Sequence, residues 1–162
     1  MSEKPRHPGR RDVAVAALLD DDDRVLLVRT RRLPEHWQPV GGGVEPGDPS
    51  PPDAAARELR EELGLDLAPE ALQYEFCASY DFGDGDVWFF SARLPGKRVH
   101  ELAPNREEIE ELRWSPLAAA LELPAFPATR QFLLYLSHRL ESPPLEITRS
   151  NGSNGSNGSQ AE

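Results

Sequence analysis

The chain has 162 residues, 38% hydrophobic and 28% charged, with a net charge of −10. That is enough apolar material for one domain of ordinary size and excludes a disordered chain. The acidic balance argues against general binding to nucleic-acid polymers or anionic membranes. The single cysteine, Cys77, permits no internal disulfide and fits a reducing compartment. No apolar run approaches the roughly 20 residues needed to span a bilayer. The N-terminal MSEKPRHPGRRD is basic with no apolar stretch behind it, so the sequence reads as cytoplasmic.

In chain order, residues 1–10 read as a flexible arm. The run 12–19, rich in Val and Leu, reads as a buried strand, Asp20–Asp23 as a turn, and 24–32 as a second strand forming a hairpin with the first. Pro and Gly throughout 33–52 exclude a helix and leave a long loop with a short strand near Trp37–Val40. Residues 53–65 read as a helix capped by Asp53 and ended by Gly64. Strands follow at 72–80 and 86–94, then at 108–114, where Ser115-Pro116 is expected to stop the strand. PLAAALEL suggests a short helix. Residues 128–140 read as a long helix with Phe132, Leu133, Leu136 and Leu140 on one stripe.

Residues 142–162 read as a disordered tail ending in three Asn-Gly-Ser repeats. The match of those repeats to the glycosylation pattern reads as accidental in a chain without a signal peptide. One domain over 11–141 remains. Strands and helices mix without strict alternation, so the fold class is α/β (α+β), a sandwich with a mixed sheet.

The helix carries a costly feature. Glu58, Glu61 and Glu62 stand at i, i+3 and i+4, where like charges destabilise by a few tenths of a kcal/mol per pair, roughly. On a helical wheel they share an arc of about 100° beside the apolar arc of Ala55, Leu59 and Leu63. A solvated helix face accounts for such a cluster by itself. The preceding Gly41-Gly42-Gly43 changes the balance, because glycine lets the backbone approach closely and offers carbonyl oxygens. Carboxylates plus a carbonyl make a hard-cation site suited to Mg²⁺ or Mn²⁺, and the cation removes the repulsion.

Residues 42–65 resemble the Nudix box, G-x5-E-x7-R-E-U-x-E-E-x-G-U with U aliphatic. RELREELGL (57–65) matches at every fixed position. Asp48 stands where the family has its first Glu, and one extra residue lies within 49–52. The resemblance implies an α/β/α sandwich with a central mixed sheet. It also implies metal-dependent hydrolysis of a nucleoside diphosphate linked to another group, with nucleoside di- or triphosphates as the default substrate.

By that resemblance Glu58, Glu61 and Glu62 hold Mg²⁺ or Mn²⁺ with a carbonyl of Gly42 or Gly43. Arg57 orients a catalytic glutamate through a salt bridge, with Asp48 or Glu45 as partner. The general base is left open between Glu58 and a later glutamate, Glu107 or Glu108. Arg29 and Arg31 alternate along their strand and are candidates for substrate phosphates. Trp37, Tyr80, Phe82 and Trp88 are candidates for a nucleobase platform. The partner is therefore a small nucleotide. The alternatives are a nucleotide-sensing module that keeps the fold without catalysis, an isomerase on the same fold, and a dinucleoside polyphosphate hydrolase; an intact set of glutamates argues against the sensor, and Cys77, in a strand, reads as packing rather than as an isomerase acid or base. Capped RNA is disfavoured by the net charge. Oligomeric state is open, a homodimer included.

Overall fold

Alternate side chains of the strand Val13–Leu19 point into two different hydrophobic layers, and this alternation organises the molecule. A computed structural model describes residues 11–79 and 84–142. The expected arm over 1–10 and most of the expected tail lie outside the described residues, as do Tyr80 and Phe82.

The strands are β1 (Val13–Leu19), β2 (Arg24–Thr30), β3 (Val40–Gly43), β4 (Gln73–Ser79), β5 (Asp86–Arg93) and β6 (Ile109–Pro116). The helices are α1 (Pro51–Leu63), α2 (Leu117–Ala120) and α3 (Pro127–Glu141). Two short 3₁₀ turns, Pro69–Ala71 and Gly96–Glu101, were not legible in the sequence. The six-stranded sheet runs β4-β5-β1-β2-β6, with β3 beside β1. β1 and β5 pair in parallel and the other pairs are antiparallel, so the sheet is mixed as expected.

The expected β1–β2 hairpin exists but opens like a fork. Its strands meet at Leu19↔Val25 beside the turn. Farther from the turn, β3 takes the edge of β1, from Val13↔Gly43 to Ala16↔Val40. Gln38 bridges Val28, with N–H···O distances of 2.8 and 3.0 Å. The long loop is thereby threaded between the two strands. This places the short strand at Val40–Gly43 rather than Trp37–Val40. β2 ends at Thr30, with a register shift after Arg29. β6 continues through Ser115-Pro116 instead of stopping there. It is an edge strand, where a residue without an N–H is tolerated.

Ala14, Ala16 and Leu18 of β1 face α1, whose Ala54, Ala55, Leu59 and Leu63 are 0% exposed. Ala17 and Leu19 face α3, where Phe132, Leu133 and Leu136 close the second core and Leu140 is partly buried. The result is the α/β/α sandwich. At about 25 cal/mol per Å² of apolar area removed from water, these two layers supply the dominant stabilising term. Among the described residues no helix is long and apolar enough to cross a membrane.

Candidate active site

Helix α1 starts at Pro51, two residues before the expected cap. Prolines at its first positions have φ already set for a helix and lose no needed N–H. Ser50 is the N-cap residue and gives no side-chain bond to the helix backbone; its hydroxyl donates to Asp53. The far end follows the sequence. Gly64 adopts φ 63°, its N–H donates to Arg60 O at 3.0 Å, and Leu65 N–H donates to Leu59 O at 3.3 Å. This left-handed ending favours glycine.

The spacing of buried Ala and Leu fixes the rotation of α1 on the sheet, and that rotation lays Glu58 against β3. A Cβ on residue 42 would stand 2.6 Å from Glu58 Cδ, so only a glycine lets the carboxyl group lie on the strand. The carbonyl of Gly43 accepts from Arg57 Nη2 at 3.0 Å.

Arg57 is the hub. Its Nε donates to Asp48 Oδ1 and its Nη2 to Asp48 Oδ2, both at 3.0 Å, a bidentate pair. Its Nη1 donates to Glu58 Oε1 and to Glu61 Oε2, again at 3.0 Å each. Glu45 stands off at 3.8 Å. Of the two partners expected for Arg57, the geometry selects Asp48. The shorter side chain reaches because the turn 45–48 folds on itself: Asp48 N–H donates to Glu45 O at 3.0 Å, and Glu45 N–H donates to Asp48 Oδ2 at 2.7 Å. The extra residue is absorbed before the helix. Hydrogen bonds from Arg57 hold the Asp48 carboxyl below the usual carboxylate range, and Asp48 in turn pushes the guanidinium up.

Carboxylates outnumber this arginine. Burial raises Glu58, against the pull of Arg57 and with help from Glu61 and Glu108. Glu62 is 7% exposed, and its buried Oε2 has no hydrogen-bond partner among the described residues. Burial, then the charges of Glu58 and Glu108, push it up to about 8, against a hydrogen bond from the Gly41 backbone. Hard oxygens, surplus negative charge and an orphaned buried oxygen fit a divalent cation. Among the described residues, no three carboxylate, imidazole or thiol groups already form a cage. Arg57 Nη1 engages both Glu58 and Glu61 and supplies part of the missing positive charge.

Glu108 reaches this cluster through the loop 103–108, which docks on the end of α1. Ala103 N–H donates to Leu63 O at 2.7 Å and Asn105 N–H to Glu62 O at 2.8 Å. Helix carbonyls without an intrahelical partner are thereby satisfied. Glu107, the other late glutamate, has its N–H on Asn105 Oδ1 at 3.1 Å.

The remaining expectations divide. Arg29 and Arg31 do not simply alternate on one strand face, because the register shifts after Arg29 and the strand ends at Thr30. Arg29 is paired with Glu111 at 2.9 Å, and Arg31 Nε donates to Arg106 O at 2.8 Å. Trp37 is 7% exposed in the α3-side core, with Arg113 and Arg29 at 4.5 and 5.6 Å from its ring centroid. Cation–π contacts and packing occupy the ring that was expected to serve as a base platform. Trp88 is half-buried against the α1-side core. Tyr80 lies outside the described residues.

Two features were missed. Arg11 lays its guanidinium over Gly43, where a Cβ would stand 2.5 Å from its Cζ. Asn105 organises the Glu108 loop. Asn is a common turn former, which was the available signal, but nothing in the sequence places that turn beside α1.

Comparison with known proteins agrees with this fold. The NUDIX domain family model matches residues 9–136. An NAD-capped RNA hydrolase NudC of Stutzerimonas stutzeri is 34% identical over 141 residues, 85% of this chain and 49% of that protein. The dihydroneopterin triphosphate diphosphatase of Escherichia coli K12 is 38% identical over 65 residues, 40% of this chain and 43% of that protein. The chain thus spans about half the length of the curated relatives it matches. The solved E. coli dihydroneopterin triphosphate pyrophosphohydrolase superposes with a TM-score of 0.63 at 25% identity, covering 75% of this chain and 91% of that one.

Proposed function

Because the chain belongs to the Nudix hydrolase family, we propose that it hydrolyses the phosphoanhydride bond of a nucleoside diphosphate linked to another group, with Mg²⁺ or Mn²⁺. One observation carries the reading: the buried, unpartnered Oε2 of Glu62 within a surplus of carboxylates around one arginine. A surplus like this is unfavourable until a cation joins it.

In this reading Glu58, Glu61, Glu62 and the Gly42 carbonyl hold the cation. When bound, Mg²⁺ or Mn²⁺ supplies Lewis acidity toward the attacking water and the phosphoryl oxygens. Arg57 keeps Glu58 and Glu61 in place and is itself oriented by Asp48. Glu108 is the general base. It takes a proton from water as the water oxygen bonds to phosphorus; the bridging P–O bond breaks, and its electron pair leaves with the departing phosphate. The alternative base, Glu58, is hydrogen-bonded to Arg57 and less free to accept that proton. Arg31 and Arg11 are cations flanking the site and suit substrate phosphates.

Nucleoside di- and triphosphates are the default substrates. A second reading, a dinucleotide pyrophosphate of the NAD type, is favoured by the similarity to the NudC relative. A net charge of −10 weighs against a long RNA attached to it. The test is product release from nucleoside di- and triphosphates, dinucleoside polyphosphates, NAD and an NAD-capped RNA oligomer, with Mg²⁺ or Mn²⁺. Cation-dependent turnover that is lost in Glu61→Gln supports the proposal. No turnover on any of these favours a nucleotide-sensing module.

A further inference from the structure

We propose that Asn105 is a positioning residue that sets Glu108 against the glutamates of α1. The inference rests on the proposed hydrolysis with Glu108 as base and adds the part that holds it there.

Asn105 stands between the two groups it would align. Its N–H donates to the carbonyl of Glu62 at 2.8 Å, so it is tied to the residue whose carboxylate is buried and unpartnered. Its own carbonyl accepts from Glu108 N–H at 3.1 Å and from Ile109 N–H at 2.8 Å. Its Oδ1 accepts from Glu107 N–H at 3.1 Å. A side-chain oxygen bonded two residues on mimics a backbone turn and is a device that Asn makes well. Ile109 is 0% exposed and starts β6, so the far side of the turn is anchored in the core. Arg31 braces the outer side, with its N–H on Glu108 O and its Nε on Arg106 O, both at 2.8 Å. Glu108 is thus held from the helix, from the sheet and from β2's exit, while its carboxylate remains exposed. The Oδ1 bond is the one link that depends on the identity of residue 105, because the others are made by backbone atoms.

The test compares Asn105→Ala with Asn105→Ser, which keeps an acceptor oxygen and adds no charge. Asn105→Ala lowers kcat by about 10-fold, less than the ~10²-fold of a 1 Å misplacement, and leaves KM within about 2-fold. Asn105→Ser retains most of the rate. In a Glu108→Gln background, Asn105→Ala causes no further loss, because both act through one carboxylate. In the metal-free protein, amide hydrogen exchange at residues 107–109 quickens in Asn105→Ala and not in Asn105→Ser. A wild-type rate in Asn105→Ala, equal impairment of the Ser variant, additive losses with Glu108→Gln, or a Glu108→Gln enzyme with full kcat each overturns the proposal. If the wild type hydrolyses nothing, the proposed function falls by itself. Exchange then decides the placement: unchanged protection at 107–109 overturns it and lost protection supports it.

Discussion

Two arginines meet carboxylates on opposite faces of the sheet. On the α3 face, Arg139 Nη2 donates to Glu75 Oε1 at 2.6 Å and Ser91 Oγ donates to the same oxygen at 2.6 Å. One cation faces one anion. On the α1 face, among the described residues, Arg57 alone pairs with Asp48, Glu58 and Glu61 at 3.0 Å and Glu45 at 3.8 Å, with Glu62 behind them. Both clusters contain a buried carboxylate oxygen without a partner, Glu75 Oε2 and Glu62 Oε2. An orphaned oxygen therefore does not by itself mark a functional site. The difference is charge balance. The α3 pair closes as a clamp between β4 and the end of α3; the α1 cluster holds more carboxylates than Arg57 can pair.

The sharpest way to break this contrast is to neutralise one carboxylate on each face. Glu61→Gln should lower cation-dependent hydrolysis by roughly 10²–10⁴-fold, the range for losing a positioned catalytic group. Glu75→Gln should leave the rate per folded molecule within about 2-fold, because that carboxylate lies outside the reaction. Steady-state kinetics on both variants checks the pair.

Stability should show the reverse order. Glu75→Ala strands Arg139 and costs about 3 kcal/mol, the low end for a broken buried pair because Arg139 is 30% exposed. Urea denaturation measures it. Gly42→Ala is the corresponding small change on the α1 face: a Cβ would displace the Glu58 carboxyl group. It should cost activity by about 10-fold to 10²-fold. Kinetics beside a melting curve separates that loss from unfolding.

The smallest effect is the pH dependence of the metal-free protein. Glu62 has a raised pKa in the folded state, so its contribution to stability is intact below the ordinary carboxylate range and is lost as pH rises through about 8. Asp48 is held low and behaves oppositely, losing its contribution as pH falls through its depressed folded value. Glu62→Gln should therefore raise the melting temperature of the metal-free protein at pH above about 8, by ~2–4 °C for each kcal/mol of penalty removed. Near pH 4 the two proteins should melt together.

What the sequence revealed follows the same physical divide. The Nudix-like string 57–65 and the apolar arc of Ala55, Leu59 and Leu63 were legible because helix periodicity links neighbouring residues directly. The glycine against Glu58 was legible as a close approach. The partner of Arg57 needed the self-closing turn at 45–48, which brings residues nine apart together. The fork between β1 and β2, the burial of Trp37 and the docking of Asn105 on α1 all depend on tertiary contacts between distant segments. Local pattern has no access to those. The pairing of Arg29 with Glu111 was hidden for a related reason: strand alternation holds only until the register shifts.

Manganese binding read by electron paramagnetic resonance tests the central contrast most directly, on the wild type, Glu62→Gln and Glu75→Gln. The account predicts bound Mn²⁺ in the wild type, affinity weakened by at least about 10-fold in Glu62→Gln, and unchanged affinity in Glu75→Gln. A wild type that binds no Mn²⁺, or a Glu62→Gln variant that binds it as the wild type does, would contradict the reading of the α1 face as a cation site.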